Sequence, residues 1–470
     1  MKRIEQLNSV KLASLFIATA MSGSVMFGAD WPQWRGPNRD AKASDFQVPN
    51  AWPKELRQKW QVTVGEGVAT PALVGERLYV FSREGGDEVT RCLNVADGKD
   101  VWHDQYESLG ATGPASQHSG PRSSPAVASG KVVTLGVRGV LSCLDAATGR
   151  KLWRHDDFHA YPGFFTASSP MIVDDLAIAQ LGGRDNGAIV AYDLVTGAEK
   201  WKWSGPGPAY ASPVLLTIGK TKLVIANTES KLVAVNAADG TLAWEAAGVP
   251  RSGPGGGGGR GMGGGQDRKA ATPIVDGQTL VTAGLGLKAV KLEKEQDKVL
   301  ATELWNNPSA SVAFNTPVLK NGMLYGLKGN NEIFCVDAKD GKTEWTAPFP
   351  VGAVLRGALD IPAFAPAFVG LPAPADPAAP GNPRRPGGPG GRGGRGGGMG
   401  GGFGSIVDAG PVLLALTPSA QLIVFEPSEK GFKQLASYKV APTPTYAYPV
   451  ASGNRLFIKD KDSLILWTID

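Results

Sequence analysis

The chain has 470 residues, 48 basic against 43 acidic side chains for a net charge of +5, and 42% hydrophobic content. The basic excess sits in or beside Gly-rich stretches (Arg251, Arg260, Arg268, Lys269, Arg384, Arg385, Arg392, Arg395), which leaves a near-neutral body with basic loops. That balance excludes a basic nucleic-acid-binding body, and the length and apolar content are ample for a large core.

In chain order, Lys2, Arg3 and Lys11 precede a largely apolar stretch over residues 12–27. A basic leader followed by a short apolar run is the pattern of a signal peptide, assigned to residues 1–29, with cleavage after Ala20 or nearer Ala29. The run is shorter than the roughly 20 residues that a spanning helix needs. No Cys precedes Cys92, so a lipid-modified N-terminus is not expected. Residues 30–56 read as an N-terminal extension. The expected location is periplasmic or secreted, with no membrane span after cleavage and a monomeric state.

From residue 57 onward one phrase recurs. A strand-like run reaches Asp or Asn, then a Gly turn, then Trp: Leu144-Asp145 to Gly149 to Trp153, Tyr192-Asp193 to Gly197 to Trp201, Val235-Asn236 to Gly240 to Trp244, and Val336-Asp337 to Gly341 to Trp345. A weaker copy leads through Asp97-Gly98 to Trp102. A small polar residue followed by Pro precedes the units, at Thr70-Pro71, Ser124-Pro125, Ser169-Pro170, Ser212-Pro213, Thr272-Pro273 and Thr316-Pro317, with looser versions at Gly410-Pro411 and Tyr448-Pro449. Between Pro and Trp lie short Val- and Leu-rich runs bounded by Gly or Asp, which read as strands joined by tight turns.

Four strands in a unit of roughly 40–45 residues describe a blade. The expected fold is all-β: an eight-bladed β-propeller of four-stranded antiparallel blades over residues 57–470. Trp60 has no Pro-marked strand before it, and the last unit has no Trp strand after it. The strand at Trp60 is therefore expected to complete the final blade and close the ring. Trp60, Trp102, Trp153, Trp201, Trp244, Trp305 and Trp345, with Tyr438 as an eighth, are read as packing between blades.

Cys92, Cys143 and Cys335 each stand two residues before the Asn or Asp of their unit, where other units have Ala191, Ala234 and Ala289. The position calls for a small buried side chain, and these cysteines are expected to be free. Three inserts, at 103–121, 250–270 and 346–408, fall between a Trp strand and the next Pro strand, and so emerge on one face. Residues 250–268 and 372–404 are low-complexity and are expected to be disordered and dispensable for folding.

The phrase Leu144-Asp145-Ala146-Ala147-Thr148-Gly149-x-x-Leu152-Trp153 resembles the PQQ-like repeat. The stretch Asp30-Trp31-Pro32-Gln33-Trp34-Arg35-Gly36-Pro37-Asn38-Arg39-Asp40 resembles a segment of secreted bacterial propellers of that family. The resemblance implies eight blades and two kinds of function. One is the BamB-like propeller of outer-membrane protein assembly, a non-catalytic scaffold. The other is a quinoprotein alcohol dehydrogenase, which holds PQQ over a Trp with Ca2+, a catalytic Asp and a vicinal Cys-Cys pair. This sequence has no Cys-Cys pair and no Cys-x-x-Cys-His, and no catalytic residue transfers by motif. The expected function is therefore a binding scaffold for a cell-envelope protein, with glycan binding and quinoprotein catalysis as alternatives and no cofactor expected.

Candidate site residues lie in the loops between blades. His103, His118, His155 and His159 come from two neighbouring loops with Asp156, a set whose convergence would suit a transition metal. Arg122 and Asn315 stand just before strand-opening Ser or Thr residues, near the axis, where they would line a polar pocket for a ligand.

Overall fold

The computed structural model describes residues 29–184, 186–248, 270–350 and 403–469. The low-complexity inserts and the leader lie outside these residues. The described chain forms eight four-stranded antiparallel sheets. First strands of neighbouring sheets face one another, so the first strand of each blade is innermost and the ring closes around an axis.

Seven blades are contiguous in sequence. Blade 1 comprises Ala72–Val74, Arg77–Glu84, Asp87–Asn94 and Asp100–Glu107. Blade 2 comprises Ala126–Ala128, Lys131–Leu135, Leu141–Asp145 and Lys151–His155, and blades 3 to 6 repeat the pattern from Met171, Val214, Ile274 and Val318. Blade 7 runs from Ser405–Ala409 to Gln434–Lys439. Blade 8 takes Val450–Ser452, Arg455–Lys459 and Ser463–Thr468 from the C-terminus and its outermost strand, Arg57–Thr63, from the N-terminal side. That strand pairs Arg57 with Thr468, Trp60 with Leu466 and Thr63 with Ser463. The closure expected from the unpaired Trp60 unit is the one that forms.

Five of the eight joints between blades pair a Trp with a glycine. The Trp102 indole N–H donates to the Ala146 carbonyl of the next blade at 3.1 Å, and its ring lies on Gly149, where a Cβ would meet it at 2.5 Å. Gly149 has φ 74°, a conformation that also disfavours any side chain. Trp153 repeats this with Leu194 and Gly197, Trp201 with Ala237 and Gly240, and Trp305 with Ala338 and Gly341. Trp60 does the same across the closure, donating to Val95 at 2.8 Å and lying on Gly98. Trp345 donates to Ser428, and Tyr438 to Pro53.

Opposite the Trp of blades 1 to 6 stands a small residue, Cys92, Cys143, Ala191, Ala234, Ala289 or Cys335, and a β-bulge follows it, whereas Trp60 faces Leu466. The bulge adds local twist and turns the Trp toward the next blade. All three cysteines are free and buried, and burial raises the Cys92 thiol to about 11 and Cys143 to about 12. They are inert core residues.

The Ser/Thr-Pro marks have a shared role. Their hydroxyls accept backbone N–H groups from the preceding blade: Thr70 N–H to Ser124 Oγ (3.0 Å), Ser124 to Ser169 (3.0 Å), Ser169 to Ser212 (2.9 Å), Ser212 to Thr272 (3.3 Å) and Thr272 to Thr316 (2.9 Å). Tyr448 N–H donates to Thr70 Oγ1 at 3.0 Å. A buried belt of hydrogen bonds thus runs from blade 8 through blade 6 around the axis.

Two boundaries differ from the sequence expectation. Gly410-Pro411 does not open a blade. It makes the turn inside blade 7 between Ser405–Ala409 and Val412–Leu416, with Gly410 at φ 76° and its N–H on Asp408 Oδ1. The insert assigned to 103–121 begins later, because the outer hairpin of blade 1 extends until Asp87 pairs with Glu107.

Residues 30–48, most of the N-terminal extension, lie inside the ring. They enter the axial channel from the side of the first turn of each blade and touch all eight blades. Trp31 bridges to Leu73 in blade 1, and the Pro32 carbonyl accepts Val127 N–H in blade 2. Arg39 donates to the Ser169 and Pro170 carbonyls of blade 3 and to Pro213 of blade 4 at 2.8 Å. Trp34 donates to Thr272 Oγ1 in blade 5, and Arg35 to the Pro317 carbonyl in blade 6 at 3.1 Å. Ala43 N–H donates to the Asp408 carbonyl of blade 7, and Gln47 N–H to Gly453 of blade 8.

Candidate functional site

The channel is filled from one side, so the candidate site is its other mouth, on the face of the loops between blades. The belt positions the rim. One residue before the belt, every blade but one has a buried small or polar residue: Ala69, Ser123, Ser168, Ala211, Ala271, Asn315 and Ala447, with Gly404 in blade 7. Two residues before it stand Val68, Arg122, Ala167, Tyr210, Ala270, Phe314, Phe403 and Tyr446, all at least partly exposed. The alternation follows from extended backbone, whose side chains point alternately into the ring and out of it. Aligning the Ser/Thr-Pro marks makes this collar visible in the sequence, a signal that a search for titratable residues passes over.

The collar is aromatic on two sides. Phe314 and Phe403 stack with centroids 4.2 Å apart, and Phe403 meets Tyr446 edge-on at 5.8 Å. His118 packs edge-on against Tyr446 at 4.7 Å. Across the mouth Phe164 faces Tyr210, whose hydroxyl accepts Phe164 N–H at 3.1 Å. Phe164 is 51% exposed and Phe314 39%, and Leu109 and Leu285 add exposed apolar surface from loops on the same face.

Arg122 lies in the collar, but its hydrogen bonds go to backbone. Nη1 donates to the Phe164 carbonyl (2.8 Å) and Nη2 to Ala115 (3.1 Å) and His118 (2.8 Å). It ties the 3-10 turn Gly113–His118 to the next loop. Asn315 is buried and brackets Leu327, donating to its carbonyl and accepting its N–H. Lys459 closes the rim between blades 8 and 1, with Nζ donating to the carbonyls of Gly65, Gly67, Asp460 and Lys461. Burial lowers it to about 8 despite the nearby Asp460 and Asp462.

The histidines occupy separate environments. His103 is exposed on the outermost strand of blade 1, and His159 is exposed in its loop. His155 stacks on Tyr192 at 4.3 Å, its Nε2 lies 2.8 Å from the Gly197 carbonyl, and its Nδ1 lies 3.2 Å from Asp157. It reinforces the joint between blades 2 and 3. His118 alone reaches the mouth, and burial followed by the Arg122 charge lowers its pKa, so its ring is neutral at pH 7. Asp156 is exposed. Among the described residues no group of three or more His, Cys, Asp or Glu could hold a metal ion. Adjacent loops therefore bring these residues to one side of the molecule without making their side chains converge. At the axis the Arg35 and Arg39 guanidinium groups donate to backbone carbonyls.

One buried carboxylate lies under this face between blades 1 and 2. Glu88 accepts Val137 N–H at 2.9 Å and the Tyr106 hydroxyl, while Arg154 lies over the Tyr106 ring at 4.3 Å. Burial raises the Glu88 pKa, against the smaller opposing effects of Tyr106, Val137, Arg83 and Arg138. A raised folded-state value means that the native chain holds the proton more tightly than the unfolded chain. Stability then falls as pH rises from the unfolded pKa, roughly 4.3, through the higher folded one. Glu88→Gln is expected to melt above the parent at pH 8, with the gap closing by pH 4.5. Calorimetric melts at the two pH values check this, and a gap independent of pH contradicts it.

Fold and site define a PQQ-like-repeat propeller with a filled axis and an aromatic mouth. The chain belongs to the family described as outer membrane protein assembly factor BamB, which matches residues 86–347, more than half of its length. BamB of Shewanella oneidensis is 23% identical over 304 residues, covering 61% of this chain and 69% of that protein. The quinohemoprotein alcohol dehydrogenase of Comamonas testosteroni is 29% identical over 187 residues, which span 38% of this chain and only 26% of the enzyme. Among solved structures, BamB from Moraxella catarrhalis superposes with a TM-score of 0.55 at 13% identity, covering 88% of this chain and 97% of that one. At that identity the likeness is one of fold.

Proposed function

We propose that this chain is an exported, non-catalytic scaffold that docks a protein partner of the cell envelope on its loop face. The observation that carries this reading is the collar: aromatic side chains held partly exposed around the axis by a rigid belt. Exposed apolar groups on one face of a monomeric scaffold mark interaction surfaces, and aromatic residues are enriched at the centres of protein interfaces. Relatives named for outer-membrane protein assembly point to a component of that machinery as the partner class. Export is supported by the basic and apolar leader in the sequence. No helix among the described residues is long and apolar enough to cross a membrane.

Phe164→Glu combined with Phe314→Glu is expected to abolish capture of the partner from envelope extract and to leave the melting temperature unchanged. Leu304→Glu, on the exposed outermost strand of blade 5, serves as the control and should capture normally. Equal capture by all three proteins removes the loop face from the reading. The second reading, a quinoprotein alcohol dehydrogenase, is favoured by the 29% and 28% identical stretches shared with two such enzymes. Its test is independent: purified chain supplied with PQQ and Ca2+ should then show stoichiometric quinone absorbance and dye-linked alcohol oxidation.

A further inference from the structure

The segment in the axis is held in the manner of a bound peptide. Its backbone adds no strand to any blade; it makes two isolated bridges, Trp31 to Leu73 and Lys42 to Asp408, and single hydrogen bonds to Val127 and Gly453. Arg35 and Arg39 both stand at positive φ, 59° and 58°. Non-glycine residues stay in that region only where surrounding contacts hold them there. Both guanidinium groups are buried, and among the described residues neither is paired with a carboxylate. Arg35 also donates to the Tyr448 hydroxyl and Arg39 to Gln33 Oε1, but most of their acceptors are backbone carbonyls, and four of these, Ser169, Pro170, Pro213 and Pro317, belong to the Ser/Thr-Pro marks. The mark therefore has two outputs. Its hydroxyl ties one blade to the next, and its proline carbonyl serves as an acceptor at the axis.

We propose that these proline carbonyls make the axial channel a receptor for a peptide folded in tight turns and carrying two arginines four residues apart, and that residues 31–40 are its resident ligand. The receptor exists only in the closed ring, because its acceptors come from blades 3, 4 and 6 while Tyr448 of blade 8 packs on Trp34 at 4.9 Å. Arg39 remains a cation there: burial lowers it only to about 9. The occupant is thus recognised through charge-assisted hydrogen bonds to carbonyl oxygens together with indole packing. A peptide of the same pattern from a second copy of this chain meets the same acceptors.

The test keeps every residue of the protein. A protease recognition sequence is inserted between Asn50 and Ala51, both exposed and outside any strand. After cleavage of the folded chain, the fragment ending at Asn50 is expected to co-elute with the ring in size exclusion and to leave only in denaturant. The same cut in an Arg35→Ala/Arg39→Ala chain should release it. A fluorescent synthetic peptide of residues 29–50 should exchange into the nicked parent in mild urea, and the Arg39→Ala peptide should compete at least about tenfold more weakly. The competition assay needs no variant protein to fold. Spontaneous loss of the fragment from the nicked parent, or equal competition by the Arg39→Ala peptide, would overturn the proposal.

Discussion

Deleting residues 446–470 should leave a chain that cannot close its ring and is recovered as soluble aggregate. The deletion removes three strands of blade 8 and leaves Arg57–Thr63 without the partner that it pairs along its length. It bares the flanks of blades 7 and 1, whose buried side chains include Leu78, Val80, Val424 and Tyr438 in one continuous core with Leu456, Ile458 and Leu466. It also removes Tyr448, on which Trp34 and Arg35 rest. Open strand edges beside exposed core are templates for association. The loss exceeds the roughly 5–15 kcal/mol by which folded domains are stable. Light scattering coupled to size exclusion reads the outcome directly. A monodisperse monomer with the parent's circular dichroism would mean that the ring does not depend on blade 8.

The second large effect is expected at the joints. Trp153→Ala should cost about 3–5 kcal/mol, the range for emptying a buried Trp site. It removes the ring packed on Gly197 and the indole N–H bound to Leu194, and it takes support from His155, which packs on the same indole at 5.3 Å. Trp244→Ala should cost less, roughly 3 kcal/mol or under. Trp244 is only half-buried, and the hairpin it faces in blade 5, between Leu287–Glu295 and Lys298–Asn307, has no glycine to lie against; Val290 and Val299 pack in the same cluster. Urea unfolding of the two variants orders them. If Trp153→Ala keeps the parent's midpoint and loses a ligand, the indole belongs to a binding site and not to a joint.

The joints were legible in the sequence because one hairpin holds halves of two of them: Gly149 receives Trp102 of the blade before, and Trp153 goes on to Gly197 of the blade after. Asp145, Gly149 and Trp153 fall within one hairpin, so their spacing survives in every copy and announces a common geometry. The same locality explains Cys92, Cys143 and Cys335, which sit opposite the Trp of their own blade. The axial segment left no such trace. Arg39 and its acceptor Pro213 are 174 residues apart, and that acceptor is a backbone carbonyl, which no side-chain pattern reveals. Because His103 and His155 follow Trp residues, the repeat pattern assigns them to loops. They belong to strands, since the outer hairpins of blades 1 and 2 extend past the Trp. Gly410-Pro411 misled for a related reason: Gly-Pro marks a turn of any kind, and the long insert before it had erased the spacing that separates a blade opening from a hairpin.

The axial segment also sets a schedule for folding. Residues 31–48 precede every blade in the chain, yet some of their contacts wait for residues far along it, such as the Arg35–Tyr448 hydrogen bond at a separation of 413. Contacts at such separations carry a large loop-closure entropy and are made late, so folding should be slow for a chain whose individual blades are local. Until the last blade arrives, Trp34 and Arg35 lack Tyr448, on which both rest. They form a sticky, cationic leader on every unfinished chain, and their disappearance from solvent marks the moment at which the molecule is complete.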